Sequence, residues 1–184
     1  MFSANFQTLA ELCSSGKSGS FFYYTQDGRF VLKTIPRHEF KFMKKILPNY
    51  HDFLTQTNPE SFISRVYGIH KVIFYRKGGK LSKKIYFCIM NNVFHTSLKI
   101  DLRYDLKGST YGRNTITDKG GVMVDRTIAL KDCDFLDKHD SIKVGKESRE
   151  RILDITKKDS DFFRDNNIID YSMLIGVTNR SEHP

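Results

Sequence analysis

The sequence is poor in cysteine, has no long apolar run and carries no recognisable targeting segment. Its three cysteines, Cys13, Cys88 and Cys133, are widely separated and odd in number, which fits neither a disulfide framework nor a zinc site with paired ligands. The longest clean apolar stretch, Ile85 to Met90, is far too short to span a bilayer, and no basic region precedes an apolar run at the N-terminus. We therefore expect reduced cytosolic thiols and only peripheral contact with a membrane.

Acidic residues are fewer than basic ones. The 184 residues include 30 Lys and Arg against 21 Asp and Glu, a formal net charge of +9. This balance indicates an anionic partner, which on charge alone is a nucleic acid, a membrane surface or a polyphosphate ligand. No nucleic acid is expected, because the chain lacks the glycine-and-aromatic block of an RNA recognition motif and its Phe21 to Tyr24 run belongs to a predicted hairpin.

Two hairpins are predicted. Ser20 to Thr25 and Arg29 to Ile35 are β-prone runs on either side of Asp27-Gly28, a strong turn signal. Arg65 to Tyr75 and Lys83 to Met90 are similar runs joined by a Lys-Gly-Gly-Lys turn. A Gly-Lys-Ser-Gly-Ser stretch enters the first hairpin, whose return strand carries a lysine. This arrangement is typical of the nucleotide lobe of a kinase.

Helices are predicted from apolar residues at helical spacing. A first helix is expected from Ser3 to Gly16, and a second begins at Pro36 and is interrupted at Pro48. A third is expected from Lys146 to about Phe163. Helices and hairpins together predict a mixed α+β chain.

The stretch from Arg103 to Arg113, RYDLKGSTYGR, concentrates groups that suit phosphate. Glycines let backbone N–H groups approach an anion, hydroxyls donate hydrogen bonds, and cationic side chains add charge. The residues concerned are Lys107, Gly108, Ser109, Thr110, Gly112 and Arg113. On this chemistry alone, a phosphate-binding loop and a solvated turn with capping residues are equally open.

DLKGS followed four residues later by an arginine resembles a signature of the phosphatidylinositol phosphate kinases. Further blocks similar to that family occur in the same order: SGSFFYYTQDGRFVLKTI (Ser18 to Ile35), MNNVF (Met90 to Phe94) and IIDYSMLIGV (Ile168 to Val177). KDCDFL (Lys131 to Leu136) resembles another block, with Cys133 in place of leucine. Ordered blocks over most of the chain imply a lipid kinase.

The resemblance implies roles for particular residues. Lys33 and the preceding glycine loop are expected to hold nucleotide phosphates, and the MNNVF block to form the hinge that receives adenine. Lys107 is expected to contact phosphate, with Arg113 assisting on the substrate side, and Asp170 to position and deprotonate an inositol hydroxyl. The implied nucleotide-binding residues are Gly16, Ser18, Gly19, Ser20, Lys33, Asn91, Asn92, Val93 and Phe94.

The residues alone leave alternatives open at three of these positions. A lone strand lysine such as Lys33 is usually solvent-facing. A carboxylate such as Asp170 in an apolar run is either a structural group capped by backbone donors or one placed for chemistry. Glu39 is our candidate partner for Lys33 by elimination, and a helix N-terminal charge without a catalytic role is an equal alternative.

The fold we expect is α+β: a two-lobed lipid-kinase core with an antiparallel sheet and flanking helices, its nucleotide lobe at about residues 1–94 and a partial second lobe at about 95–184. The resemblance implies ATP and Mg, and a reaction on the inositol ring of a phosphatidylinositol phosphate. The lysine and tyrosine context of DLKGSTYGR favours conversion of the 4-phosphate to the 4,5-bisphosphate. A phosphoinositide lipid and the anionic cytoplasmic face of a membrane are the expected partners, and a homodimer is left possible.

The family pattern continues beyond such a core with an Ile-Ile-Asp metal ligand and a loop that recognises the lipid head group, and neither occurs in this sequence. We therefore expect a truncated core with no assignable metal ligand, and weak or no lipid phosphorylation by these 184 residues alone. The alternative is a non-catalytic module or regulator, derived from the same fold, that binds phosphoinositides or acidic membranes.

Overall fold

The computed structural model describes residues 10–12, 20–115, 129–138 and 142–178. The chain divides into two units, Met1–His95 and Thr96–Pro184. Each unit contains its own sheet and at least one helix, so the predicted α+β class is confirmed. None of the helices among the described residues combines the length and apolarity that a bilayer crossing needs.

The first unit is built on a five-stranded antiparallel sheet. Its strands are β1 (Ala10–Leu12), β2 (Phe22–Tyr24), β3 (Phe30–Ile35), β4 (Val66–Tyr75) and β5 (Leu81–Asn91), in the order β1-β2-β3-β5-β4. Both predicted hairpins, β2–β3 and β4–β5, are confirmed. Gly28 has φ +68 in the first turn, a conformation that glycine adopts without steric cost.

The predicted N-terminal helix is wrong where the structure describes it. Ala10–Leu12 forms strand β1 and pairs with Phe22–Tyr24 of β2. Apolar residues at every third position therefore did not decide the local structure, because pairing with the open edge of β2 satisfies these backbone groups instead. Residues 3–9 and 13–16 of that prediction lie outside the described residues.

The helix α1 (Arg37–Asp52) begins directly after Pro36, as predicted, but continues through Pro48 into a π-helical turn at Phe53–Thr57. The predicted interruption is wrong because residues beyond the proline hold the later turns. The Tyr50 hydroxyl donates to the carbonyl of Ser64 at 2.8 Å and accepts the N–H of Val66 at 2.8 Å. These bonds offset the one intrahelical hydrogen bond that a proline removes.

The second unit contains a smaller mixed sheet. Its strands are β6 (Leu102–Leu106), β7 (Ala129–Leu130) and β8 (Met173–Val177), in the order β7-β6-β8, with β6 parallel to β7 and antiparallel to β8. Two helices follow β7: α2 (Asp132–Lys138) and α3 (Lys146–Asp165). The predicted helix from Lys146 is thereby confirmed.

The core of the second unit lies beneath β6. Tyr104 and Leu130 are 0% and 1% exposed. The Tyr104 ring meets the Phe135 ring edge to face, with centroids 5.2 Å apart. This aromatic packing holds α2 against the middle of β6, so the first residues of α2 lie close to the end of that strand.

Candidate functional site

The turn that follows β6 is wrapped around a carboxylate of the protein itself. Gly108 has φ +71, and the backbone N–H groups of Lys107 and Gly108 both donate to one oxygen of Asp132, at 3.0 and 2.8 Å. Asp132 is 8% exposed. The local sequence left a phosphate-binding loop and a solvated turn with capping residues equally open. In the structure, the anion that this backbone approaches is the carboxylate of Asp132.

Arg113 completes this arrangement. Its Nε donates to the second oxygen of Asp132 at 2.8 Å, and its Nη2 contacts both the carbonyl and the carboxylate of Asp105. Burial raises the pKa of Asp132, but Arg113 and the two backbone N–H groups outweigh burial and hold that pKa below its usual value. Burial lowers the pKa of Arg113, but the carboxylates of Asp132 and Asp105 outweigh burial. The pKa of Arg113 is therefore raised above its usual value.

A second buried carboxylate extends the arrangement. Asp134 is 2% exposed and accepts the N–H of Thr115 at 3.0 Å and the N–H of Lys131 at 2.9 Å. We refer to Asp132 and Asp134 as the aspartate clamp. The clamp fixes both ends of the loop from Lys107 to Thr115, and it was not predicted. The available signal was two carboxylates alternating with apolar residues in KDCDFL.

Arg113 supports this loop by its contacts with Asp132 and Asp105. Its side chain is only 13% exposed and is engaged by two carboxylates. Direct contact between Arg113 and substrate stays a prediction. What the structure adds is that the guanidinium helps to set the position of the Lys107 backbone through Asp132.

Lys107 and Asp170 are brought together, although 63 residues separate them in the chain. The antiparallel pairing of β6 with β8, which ends at Leu106 opposite Met173, places the turn before β8 next to the turn after β6. Lys107 Nζ donates to the Asp170 carboxylate in an ion pair. The structure thus joins two of the three predicted catalytic residues.

The Lys107–Asp170 pair is accessible to a ligand. The Asp170 side chain is 77% exposed and that of Lys107 is 30% exposed. Asp170 has φ +61, an uncommon conformation for a residue other than glycine. The hydrogen bond and the charge of Lys107 lower the pKa of Asp170. A cation that can meet phosphate and an ionised carboxylate that can accept a hydroxyl proton therefore lie side by side.

In the first unit, Lys33 lies on the face of the sheet that α1 covers. Lys33 is opposite Cys88 in the β3–β5 register, and α1 packs on that face through Phe40 and Tyr86, whose ring centroids are 4.9 Å apart. Lys33 Nζ lies 5.7 Å from the centroid of the Phe22 ring. Within the described part of the chain, no ion pair joins Lys33 to Glu39.

The predicted hinge is held by its asparagine side chains. Asn91 accepts the N–H of Arg65 on its side-chain oxygen at 2.7 Å. Asn92 donates from Nδ2 to the carbonyl of Gly28 at 2.8 Å and accepts the N–H of Phe94 at 3.0 Å. These amides therefore tie the end of β5 to neighbouring backbone. Adenine binding at this hinge stays a prediction. We expect backbone groups and the apolar side chains of Val93 and Phe94 to make the contacts with adenine.

The remaining predicted ligands divide into two groups. Ser20 is described and buried, at 6% exposure, whereas Gly16, Ser18 and Gly19 lie outside the described residues. Among the residues that the structure describes, no group of three or more His, Cys, Asp or Glu is placed to hold a metal ion. Mg therefore stays a prediction.

Comparison with known proteins agrees with this geometry. Residues 3–184 match the family model described as Phosphatidylinositol-4-phosphate 5-Kinase. A phosphatidylinositol 4-phosphate 5-kinase of Plasmodium falciparum is 44% identical over 173 residues, which cover 94% of this chain and 10% of that protein. A probable phosphatidylinositol phosphate kinase of Dictyostelium discoideum is 38% identical over 169 residues, which cover 92% of this chain and 22% of the relative.

A third relative, phosphatidylinositol 4-phosphate 5-kinase 1 of Arabidopsis thaliana, is 39% identical over 175 residues, which cover 95% of this chain and 22% of the plant protein. The chain belongs to the phosphatidylinositol-4-phosphate 5-kinase family, a family of lipid kinases. The recognition made from the DLKGS and IIDYSMLIGV blocks is confirmed. The chain spans between 10% and 22% of the length of these curated relatives.

Proposed function

We propose that this chain acts in an ATP-dependent phosphatidylinositol phosphate kinase that phosphorylates the inositol ring of its lipid substrate. The observation that carries the proposal is the exposed Lys107–Asp170 ion pair, formed by two family blocks that β6–β8 pairing brings together. Family membership supplies the reaction class, because kinases transfer the γ-phosphate of ATP. The pair supplies a phosphate contact and a hydroxyl acceptor in one place.

The ion pair provides a way for substrate to activate the base. With no ligand bound, Lys107 holds the pKa of Asp170 down, so the carboxylate is ionised and weakly basic. A phosphate that draws Lys107 away removes the cation from Asp170, and the pKa of the carboxylate rises. Asp170 then becomes a better acceptor for the ring hydroxyl proton, at the moment when that hydroxyl oxygen attacks the γ-phosphorus and ADP leaves.

The aspartate clamp serves this step by fixing the backbone. Because Lys107 must release Asp170 without losing its place, its main chain needs an anchor that does not depend on the ion pair. The hydrogen bonds from the Lys107 and Gly108 N–H groups to buried Asp132 are such an anchor. In phosphoryl transfer the protein acts mainly by positioning and charge, so a fixed backbone contributes directly to rate.

We also propose phosphatidylinositol 4-phosphate as the substrate and the 4,5-bisphosphate as the product. Support comes from the names of the Plasmodium and Arabidopsis relatives and from the DLKGSTYGR context. A lipid substrate places the protein peripherally at a membrane, and we propose the cytoplasmic face.

The test combines head-group binding with turnover. Inositol 1,4-bisphosphate, the soluble head group, is titrated by calorimetry, and transfer from γ-labelled ATP to phosphatidylinositol 4-phosphate vesicles is followed with magnesium present. Lys107→Ala is expected to weaken head-group binding at least about tenfold, since a charge-assisted contact contributes roughly 1.5–3 kcal/mol. Lys138→Ala, an exposed lysine at the end of α2, is the matched control and is expected to bind as the unaltered chain does.

Asp170→Asn separates chemistry from binding. It is expected to retain head-group binding and to lose any transfer that the unaltered chain shows, because the amide cannot accept the proton. Equal binding by Lys107→Ala and the unaltered chain would show that the ion pair is structural. Transfer that does not depend on Asp170 would refute Asp170 as the base. Head-group binding that depends on Lys107, with no transfer by the unaltered chain, would favour the non-catalytic module.

A further inference from the structure

Positive charge is concentrated on the far half of the β4–β5 hairpin, residues 72–85, which we call the basic tip. It contains five cations, listed here as Arg76, Lys77, Lys80, Lys83 and Lys84, and no Asp or Glu. All five are exposed. None of the ion pairs found in the described parts of the chain involves them. The tip therefore presents uncompensated charge to solvent.

The basic tip projects beyond the rest of its sheet. Strand β3 pairs with β5 only as far as Tyr86, opposite Ile35. From Val72 opposite Ile85 to Tyr75 opposite Leu81, no third strand among the described residues pairs with the hairpin. The register of the two strands shifts by one residue between Phe74 and Tyr75. The turn itself is closed by a hydrogen bond from the N–H of Arg76 to the carbonyl of Lys80 at 2.8 Å. A two-stranded ribbon without further strands is marginal in water, so this one has surface to bury against a partner.

Large apolar side chains are interspersed with these cations. Phe74, Tyr75 and Leu81 are 47%, 64% and 53% exposed. Phe74 lies opposite Lys83, and Tyr75 lies opposite Leu81. Aromatic side chains favour the membrane–water interface, and lysines and arginines beside them favour anionic head groups. The tip has both properties within one protruding turn.

We propose that the basic tip is a membrane-docking element that inserts Phe74, Tyr75 and Leu81 into the interface of an anionic bilayer while its cations contact lipid head groups. The inference rests on the proposed function to the extent that a lipid substrate places the protein at a membrane. A nucleic acid fits the charge but offers less to the aliphatic Leu81 at the turn, so the bilayer is the partner that the combined chemistry favours.

The first experiment compares two triple variants of equal charge change. Arg76→Gln/Lys77→Gln/Lys80→Gln alters the tip, and Lys41→Gln/Lys44→Gln/Lys45→Gln alters exposed lysines of α1 in the same unit. Both are sedimented with phosphatidylcholine vesicles containing phosphatidylserine and no phosphoinositide, so the result does not depend on kinase activity. The tip variant is expected to bind on the order of 100-fold more weakly, and the α1 variant much less so. Equal losses in the two variants would overturn the proposal, because net charge would then explain binding.

The second experiment tests insertion directly. The chain contains no tryptophan, so Tyr75→Trp introduces a single, selectively excitable tryptophan at the tip. Phe42→Trp introduces one on α1, where Phe42 is 37% exposed. Anionic vesicles are expected to shift the emission of Tyr75→Trp to the blue, and lipids brominated along the acyl chain are expected to quench it. The Phe42→Trp emission is expected to change little. Vesicle binding without blue shift or quenching in Tyr75→Trp would refute insertion.

Two further measurements complete the test. Far-UV circular dichroism of every variant checks folding, and a tip variant that has lost its strand signal is replaced by the double variant Arg76→Gln/Lys80→Gln, with about 25-fold weaker vesicle binding expected. A labelled single-stranded RNA is titrated at the same salt concentration. Tip-dependent binding to RNA that is tighter than binding to phosphatidylserine vesicles would overturn the membrane assignment.

Discussion

Replacement of Asp132 tests the aspartate clamp most directly. Its carboxylate accepts three hydrogen bonds, from the N–H groups of Lys107 and Gly108 and from Arg113 Nε, at 3.0, 2.8 and 2.8 Å. Asp132→Ala leaves Arg113 as a cation only 13% exposed. Removing one partner of a buried ion pair costs about 3–5 kcal/mol, and because Asp105 still contacts Arg113 we expect about 3 kcal/mol.

The assay is urea unfolding followed by far-UV circular dichroism. Asp137→Ala is the matched control, since Asp137 lies on the same helix but is exposed, and it is expected to change stability by less than about 0.5 kcal/mol. Equal unfolding midpoints and slopes for Asp132→Ala and Asp137→Ala would refute our account of the clamp.

The contribution of the Asp132 carboxylate to stability depends on pH with a definite sign. The pKa of Asp132 lies below its ordinary value of 3.8 in the folded chain, so the stabilisation is fully present above that value and is lost as pH falls through the folded pKa. The stability gap between the unaltered chain and Asp132→Asn is therefore expected to be constant from pH 7 to 5 and to shrink below 3.8. A gap that widens on acidification would contradict the assignment.

Three smaller predictions concern other parts of the chain. Asn92→Ala removes two hydrogen bonds of the Asn92 side-chain amide and is expected to lower the free energy of unfolding by about 1–3 kcal/mol in a urea titration. Cys88 is only 1% exposed, and burial raises the pKa of its thiol. Mass spectrometry after brief iodoacetamide treatment should therefore find Cys88 modified far more slowly than the less buried Cys133. Gly108→Ala forces φ +71 on a residue with a Cβ and is expected to cost about 1–2 kcal/mol, whereas Gly145→Ala, at φ −59, should cost less than about 1 kcal/mol.

The features that the sequence predicted well are those written into a few neighbouring residues. Asp27-Gly28 and the Gly78-Gly79 pair mark both turns of the first unit, and the strands on either side were located to within a few residues. Lys107 and Asp170 were found through short family blocks, and the structure then brought them together. Local chemistry was sufficient for the two turns, whereas Lys107 and Asp170 were singled out by the family resemblance.

The features that were missed depend on partners far away in the chain. Asp132 bonds to backbone 24 and 25 residues before it, and no local pattern in KDCDFL contains that information. The continuation of α1 past Pro48 depends on Tyr50, whose partners are 14 and 16 residues later. Local propensity favoured a break there, and tertiary hydrogen bonds decided otherwise.

The β6–β8 pairing has a consequence for the order in which the chain folds. Its paired residues, from Leu106 with Met173 to Leu102 with Val177, are 67 to 75 positions apart, whereas β4 and β5 are joined by a tight turn. Pairing over long separations pays its loop-closure entropy before any contact forms, which slows it relative to hairpin formation. During synthesis the first unit can complete its hairpins long before β8 leaves the ribosome. Lys107 therefore meets Asp170 only after β8 has been synthesised, at a later stage than the closure of the β4–β5 hairpin.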